Sequence, residues 1–142
     1  MGINVALGTD SVASNNSLNF IEEMKYFATA AKEHLKDPTA VTPQQALRAA
    51  TVAGAHSQGR EDCGLLTQGG KADLIVLDIG GPHMQPVHNL LNNMVYSASG
   101  SDVILTMADG KILYENGKFF TIDLERVIYE VKRATAKILQ AL

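Results

Sequence analysis

Apolar and polar positions divide this chain into a helical first half and a strand-rich second half. The opening run Ile3-Asn4-Val5-Ala6-Leu7 breaks at Gly8-Thr9-Asp10, which predicts a buried strand ending in an acid. Phe20, Met24, Phe27, Ala28, Ala31 and Leu35 then recur at three- and four-residue steps, the spacing of an amphipathic helix. Ser17 or Asn19 can cap its start, and Asn19 with Glu22 has capping-box spacing. Asp37-Pro38 predicts its end, because proline restricts the residue before it and has no N–H for the helical ladder. Thr42-Pro43-Gln44-Gln45 starts a second helix: Thr42 is the N-cap, Pro43 takes the first helical position and Gln45 completes a box. That helix is predicted to run to Gly54 or His56, and its small residues Ala46, Ala49, Ala50 and Ala53 suit close packing.

From Gly59 the period shortens. Ala72 to Asp78 is a continuous apolar run flanked by acids, which predicts a strand covered on both faces. Val103 to Met107, Lys111 to Glu115 and Lys118 to Ile122 are separated by Asp109-Gly110 and Asn116-Gly117. Such dipeptides supply the positive φ that both central residues of a type I′ turn require, so a three-stranded meander is predicted. The final segment starts at Asp123, a plausible N-cap, and sets Leu124, Val127, Ile128, Val131, Ala134, Ile138 and Leu139 on one helical face. Glu125 lies near its start and Lys132, Arg133 and Lys137 toward its end, as the helix dipole favours. The opposite face is mixed in charge rather than basic, so the stripe predicts burial in a core instead of a membrane surface.

Composition narrows the class. A hydrophobic content of 46% with 19% charged residues is that of a globular protein and excludes disorder. The net charge of −3 gives no basic footprint, which excludes nucleic acid as a partner. Cys63 is the one cysteine, so no intrachain disulfide marks an oxidising compartment. No apolar stretch approaches the roughly 20 residues that span a bilayer, and the start lacks a signal-peptide pattern. A cytoplasmic protein without a membrane partner is expected.

Candidate chemistry begins at Asp10, where a strand emerges from a core, the place where α/β proteins assemble active sites. On spacing alone it reads equally as a turn or N-cap residue. Ser14, Asn15 and Asn16 can cap the next helix or line a pocket. His34 and His56 lie near helix ends, where the dipole favours them, while His83 and His88 sit in a proline-rich connection suited to hydrogen-bonding roles. No His-Glu-x-x-His or closely spaced Cys/His pair occurs, so no intrinsic zinc site is expected. Cys63 follows Glu61-Asp62, acids that disfavour a thiolate and a nucleophilic role. Gly69-Gly70 precedes a strand and not a helix, which makes it a turn rather than a phosphate loop.

Val5 to Asp10 with Ala13 to Asn16, then Thr42 to Thr51, Gly69 to Asp78, Pro82 to His88 and the Asp109-Gly110 turn together resemble, in order, the C-terminal third of a metal-dependent amidohydrolase. The resemblance is to the branch of aromatic-ring deaminases and chlorohydrolases, which includes deaminases of S-adenosylhomocysteine, methylthioadenosine and guanine and the triazine hydrolases. It implies an α/β fold whose parent is a TIM (β/α)8 barrel with a flanking β-sandwich domain. Residues 1–59 would be the C-terminal end of the barrel, with the last strand and its active-site loop in residues 1–16. Residues 60–142 would be the C-terminal half of the sandwich with a terminal helix. A whole barrel needs roughly 250 residues, and the 142 present hold only this end of it.

By the same resemblance Asp10 is catalytic: it contacts a divalent metal, zinc or iron, and moves a proton, while Ser14, Asn15 and Asn16 meet a small-molecule ring substrate. The family's other ligands, histidines from earlier strands, and its proton-transferring glutamate have no counterpart here. The expected function is therefore that of a fragment of a hydrolase acting on non-peptide carbon–nitrogen, or carbon–chlorine, bonds of a purine- or triazine-like ring, most simply by deamination. The fragment alone is expected to be inactive and to bind no metal tightly. The alternative is a non-catalytic structural or oligomerisation module. In either case unpaired sheet edges predict a homo-oligomer.

Overall fold

A computed structural model describes residues 2–141 of the chain. An extended leading segment is followed by α1 (Val12–Asn15), α2 (Phe20–Leu35), α3 (Pro43–Ala50), α4 (Val52–Ser57), β1 (Leu74–Leu77), α5 (Leu90–Tyr96), β2 (Val103–Ala108), β3 (Lys111–Glu115), β4 (Lys118–Phe119) and α6 (Leu124–Ala141). Short 3-10 turns at Pro82–Met84 and Gly100–Asp102 bracket α5.

The helix ends show the local chemistry. At the start of α3 the Gln45 N–H donates to Thr42 Oγ1 at 3.3 Å and the Thr42 N–H to Gln45 Oε1 at 2.8 Å, the box that the sequence predicts. α2 stops at Lys36, which turns left-handed with φ 54° just before Asp37-Pro38. Its start corrects the expected Asn19–Glu22 box, for Asn19 makes no side-chain capping bond. With ψ at 88° it lies outside the extended backbone that an N-cap uses. Its side chain is set against Gly100, where an added Cβ would come within 2.9 Å of Asn19 Oδ1.

The second predicted helix breaks in two at Thr51, which sits at φ −124°, ψ −90°. The Thr51 hydroxyl donates to Leu47 O at 2.8 Å, so a side chain takes the carbonyl that a continuing ladder would use.

The core lies among α2, α3 and α5, where Ile21, Met24, Ala46 and Val95 are buried and Phe27, Leu47 and Met94 close round them. The sequence reading did not include α5. It is only seven residues long and is capped by Asn89, whose side chain accepts from the Asn92 N–H at 3.0 Å. Asn93 fastens it to the preceding turn, donating to Met84 O at 2.6 Å beneath a fully buried Met84 side chain. Across the layer Lys32 of α2 hydrogen-bonds the Tyr96 hydroxyl, its ammonium 4.8 Å from the ring centroid.

The sheet has four strands in the order β1-β2-β3-β4, antiparallel throughout. The predicted meander is present, although β4 ends at Phe119, short of Ile122. Asp109 and Gly110 have φ of 49° and 76°, and Asn116 and Gly117 have 45° and 86°, as type I′ turns require. β1 joins through Leu74↔Met107, Ile75↔Thr106 and Val76↔Leu105, with a register irregularity before Leu77. The expectation that β1 is covered on both faces is corrected: Ile75 and Val76 are exposed, and Leu77 is its one residue packed against the helical core.

Two further corrections concern the ends. Residues 3–7 form no strand among the described residues; a strand needs a neighbouring backbone, and this segment lies instead along α3 and α4. The Leu7 N–H donates to Ala49 O at 3.0 Å, and Asn4 Nδ2 to Ala53 O at 2.9 Å and Ser57 Oγ at 3.1 Å. Ile3 is left 75% exposed. At the other end, Asp123 caps α6 by accepting from the Arg126 N–H at 3.0 Å, yet no described residue of that helix is buried. The predicted core helix is an uncovered one, because the described chain supplies no surface to cover its stripe. No helix among the described residues is long and apolar enough to cross a membrane.

Candidate active site

The leading segment ends at Gly8-Thr9-Asp10, and Asp10 takes φ 57°. Left-handed backbone is disfavoured for residues with a Cβ, aspartate and asparagine being the usual exceptions. The conformation is held from both sides. The Thr9 hydroxyl donates to Asp10 O at 3.1 Å, and the Ser11 N–H donates to Asp10 Oδ1 at 2.7 Å. On the other carboxylate oxygen, Ser14 Oγ lies 3.0 Å from Asp10 Oδ2 and 3.1 Å from Ser11 O, either of which its single proton can serve. The carboxylate is otherwise exposed to solvent.

Of the residues singled out in the sequence, Ser14 is thus brought onto Asp10, and Asn15 is turned the other way. Asn15 Nδ2 donates to Thr9 O at 2.8 Å and to Glu23 Oε1 at 2.7 Å, tying the loop to the first turn of α2. Asn16 is the left-handed C-cap of α1 with φ 63°, its N–H donating to Val12 O. None of the three caps α2, whose N-cap is Asn19, so that expectation is corrected. Glu23 was not singled out in the sequence. Its link to Asn15 crosses an irregular loop, and no periodic spacing marks it.

Each Asp10 oxygen accepts only one of the hydrogen bonds described and keeps a lone pair, so either can serve as an oxygen donor to a divalent cation. A catalytic zinc site needs three protein ligands and an open position. Among the described residues no three His, Cys, Asp or Glu side chains converge on a point, so Asp10 fits a metal site as one ligand and not as the whole of it.

The other polar clusters are structural clamps. His83 Nε2 lies 2.9 Å from Asp102 Oδ2, which also accepts the Ser99 N–H at 2.7 Å. The His83 hydrogen bond, then that of Ser99, hold the Asp102 carboxyl below the ordinary carboxylate range. His83 thus has the hydrogen-bonding role expected of it. Lys71 Nζ meets Asp109 Oδ1 at 2.7 Å, while Asp73 bonds both Arg60 at 3.3 Å and the Asp109 N–H at 2.7 Å, pinning the β1 entry to the β2–β3 turn. The Lys71–Asp109 hydrogen bond raises the Lys71 pKa and lowers the Asp109 pKa. His34 and His56 occupy the last turns of α2 and α4, where the dipole favours them.

The described site is thus one tethered, exposed carboxylate at the end of an apolar, unpaired segment docked on α3 and α4. The amidohydrolase family profile matches residues 1–113, and the chain belongs to that family. It is 42% identical to the 5-methylthioadenosine/S-adenosylhomocysteine deaminase of Dictyoglomus thermophilum over 98% of this chain and 33% of that protein. An adenosine deaminase from Xanthomonas campestris, solved with bound zinc, superposes with a TM-score of 0.94 at 31% identity, covering 97% of this chain and 32% of the other. The zinc-complexed atrazine chlorohydrolase of Arthrobacter aurescens TC1 superposes with a TM-score of 0.80 at 28% identity, over 93% and 30% of the two chains. The chain spans about a third of the length of the curated relatives it matches.

Proposed function

We propose that these residues are the C-terminal part of a metal-dependent amidohydrolase that deaminates a purine-like ring, with Asp10 as its metal-contacting and proton-transferring carboxylate. Family membership and the deaminase names of the relatives at 41–44% identity support the reaction class and an amine leaving group. The observation that carries the role of Asp10 is its left-handed placement beyond the docked segment, with Oδ2 oriented by Ser14.

When bound, a divalent metal, zinc or iron, makes hydroxide available near neutral pH by lowering the pKa of water. Hydrolytic deamination forms a carbon–oxygen bond to the ring, breaks the carbon–nitrogen bond and releases ammonia. Asp10 accepts the proton from the attacking water and delivers it toward the departing amine, a general acid–base role worth about 10²- to 10⁴-fold in rate. The Ser11 N–H and Ser14 hydroxyl hold the carboxylate in one orientation for both transfers. Ser14, on the Asp10 side of the loop, forms one wall of the ring site, and Asn15, turned away from it, keeps the loop against Glu23. The remaining ligands come from protein outside these 142 residues.

The test is the full-length polypeptide assayed for ammonia release from adenosine-type nucleosides, beside its Asp10→Asn variant. A loss of about 10²-fold or more in kcat is expected for the variant. Activity of the variant within a few-fold of the unaltered enzyme would remove Asp10 from the mechanism, and an inactive full-length protein would favour the non-catalytic module.

A further inference from the structure

We infer that Glu23 is a positioning residue for Asp10, acting through Asn15, an inference that rests on the proposed catalytic role of Asp10. Asn15 Nδ2 carries two protons, and two acceptors take them: Thr9 O at 2.8 Å and Glu23 Oε1 at 2.7 Å. Together they set the amide one way round. Turned over, it would bring Oδ1 against a carbonyl and a carboxylate, neither of which has a proton to give.

Thr9 O belongs to the peptide that joins Thr9 to Asp10, and a peptide moves as a plane. Holding that oxygen therefore fixes the plane from which Asp10 turns at φ 57°. The turn needs holding, because left-handed backbone is disfavoured for a residue with a Cβ. The hydrogen bonds from Ser11 and Ser14 fix the carboxylate against the loop that follows, but neither reaches the peptide before Asp10.

Glu23 makes Asn15 a fixed point. It stands in the first turn of α2 between Ile21 and Met24, both buried in the core, so its backbone cannot shift without disturbing that packing. A carboxylate suits the positive end of a helix, and its hydrogen bond to Asn15 is of the stronger, charge-assisted kind. Without it the Asn15 amide is held by one proton instead of two and can swing. The Thr9–Asp10 peptide then relaxes toward ordinary negative φ, and the carboxylate leaves the place from which it transfers protons. Misplacement by about 1 Å costs up to about 10²-fold in rate.

Steady-state kinetics of the full-length enzyme test this, read as ammonia release from adenosine-type nucleosides, with thermal unfolding checking that each variant is folded. Glu23→Ala is expected to lower kcat about tenfold and to change KM less than about twofold. Glu23→Gln, whose amide oxygen still accepts from Asn15, is expected to regain most of that loss, to within about threefold of the unaltered enzyme. Added to Asp10→Asn or to Asn15→Ala, Glu23→Ala is expected to cost nothing further, since residues that act as a unit are not additive. A residue that only supports the fold would lower activity in every background. The inference is overturned by a Glu23→Ala variant with unchanged kcat, by a Glu23→Gln variant no better than Glu23→Ala, or by an equal loss with and without Asp10. An inactive unaltered enzyme, or an active Asp10→Asn variant, instead overturns the proposed role of Asp10 and this inference with it.

Discussion

Ser14 Oγ stands 3.0 Å from Asp10 Oδ2, four residues back along the chain, so the hydroxyl and the carboxylate form one unit across the loop that begins α1. A hydrogen bond to an ionised acceptor at an exposed site is worth about 1 kcal/mol. In the full-length enzyme Ser14→Ala is expected to lower kcat about 3- to 10-fold, well short of the loss from Asp10→Asn. Steady-state kinetics check this ordering, and a Ser14→Ala effect equal to that of Asp10→Asn would show that the hydroxyl has its own chemical role.

Asn93 supplies the donors that close the turn before α5, reaching Met84 O at 2.6 Å and Pro86 O at 3.3 Å. Asn93→Ala leaves the Met84 carbonyl without that donor and is expected to cost about 1–3 kcal/mol. Asn93→Asp should not rescue it, because an ionised carboxylate donates nothing. Urea unfolding should show a lower midpoint with an unchanged slope.

Thr42 and Gln45 close the start of α3, which contributes the fully buried Ala46 to the core. Thr42→Ala is expected to destabilise the chain by about 1 kcal/mol and Thr42→Ser by much less, since serine keeps the accepting oxygen. Thermal unfolding of the two variants side by side distinguishes a cap from a packing effect.

Asp102 contributes to stability in a pH-dependent way. Its carboxyl is lowered by the His83 hydrogen bond foremost, with help from the Ser99 N–H. The folded state therefore holds this proton less tightly than the unfolded state. The contribution is fully present above about pH 4, the ordinary carboxylate range, and is lost as pH falls through the lowered folded value. Asp102→Asn is expected to be less stable at neutral pH, its deficit shrinking on acidification. Unfolding midpoints measured as pH is lowered check the sign; a deficit that grew toward acid would contradict it.

Signals confined to a few neighbouring residues carried from sequence to structure. The Thr42 box, the stop before Pro38 and the two hairpin turns each depend on one local backbone requirement, and all formed. Features set by distant neighbours did not carry over. Whether Ile3 to Leu7 becomes a strand depends on a second backbone beside it, and whether the stripe of α6 is buried depends on a surface to receive it. The break at Thr51 and the missing Asn19 box arose where a side chain met a competing acceptor or a close glycine. In the candidate site, the position of Asp10 just past an apolar run and Gly8 is plain in the sequence, but the strand expected before it did not form and the left-handed turn at Asp10 carried no signal. The anchoring of its loop on Glu23 carried none either, since that bond spans an irregular turn.

The tethers on either side of Asp10 attach to different helices. Upstream, Leu7 and Asn4 fasten the chain to Ala49 and Ala53; downstream, Asn15 fastens it to Glu23. The carboxylate therefore sits near the middle of a short suspension bridge whose piers are the α3–α4 pair and α2. A sliding of one pier against the other would reach the acid as well as the core that α2 and α3 share. Substitutions that loosen the buried cluster in which Met24 of α2 and Ala46 of α3 take part would then detune the acid from a distance, without touching it.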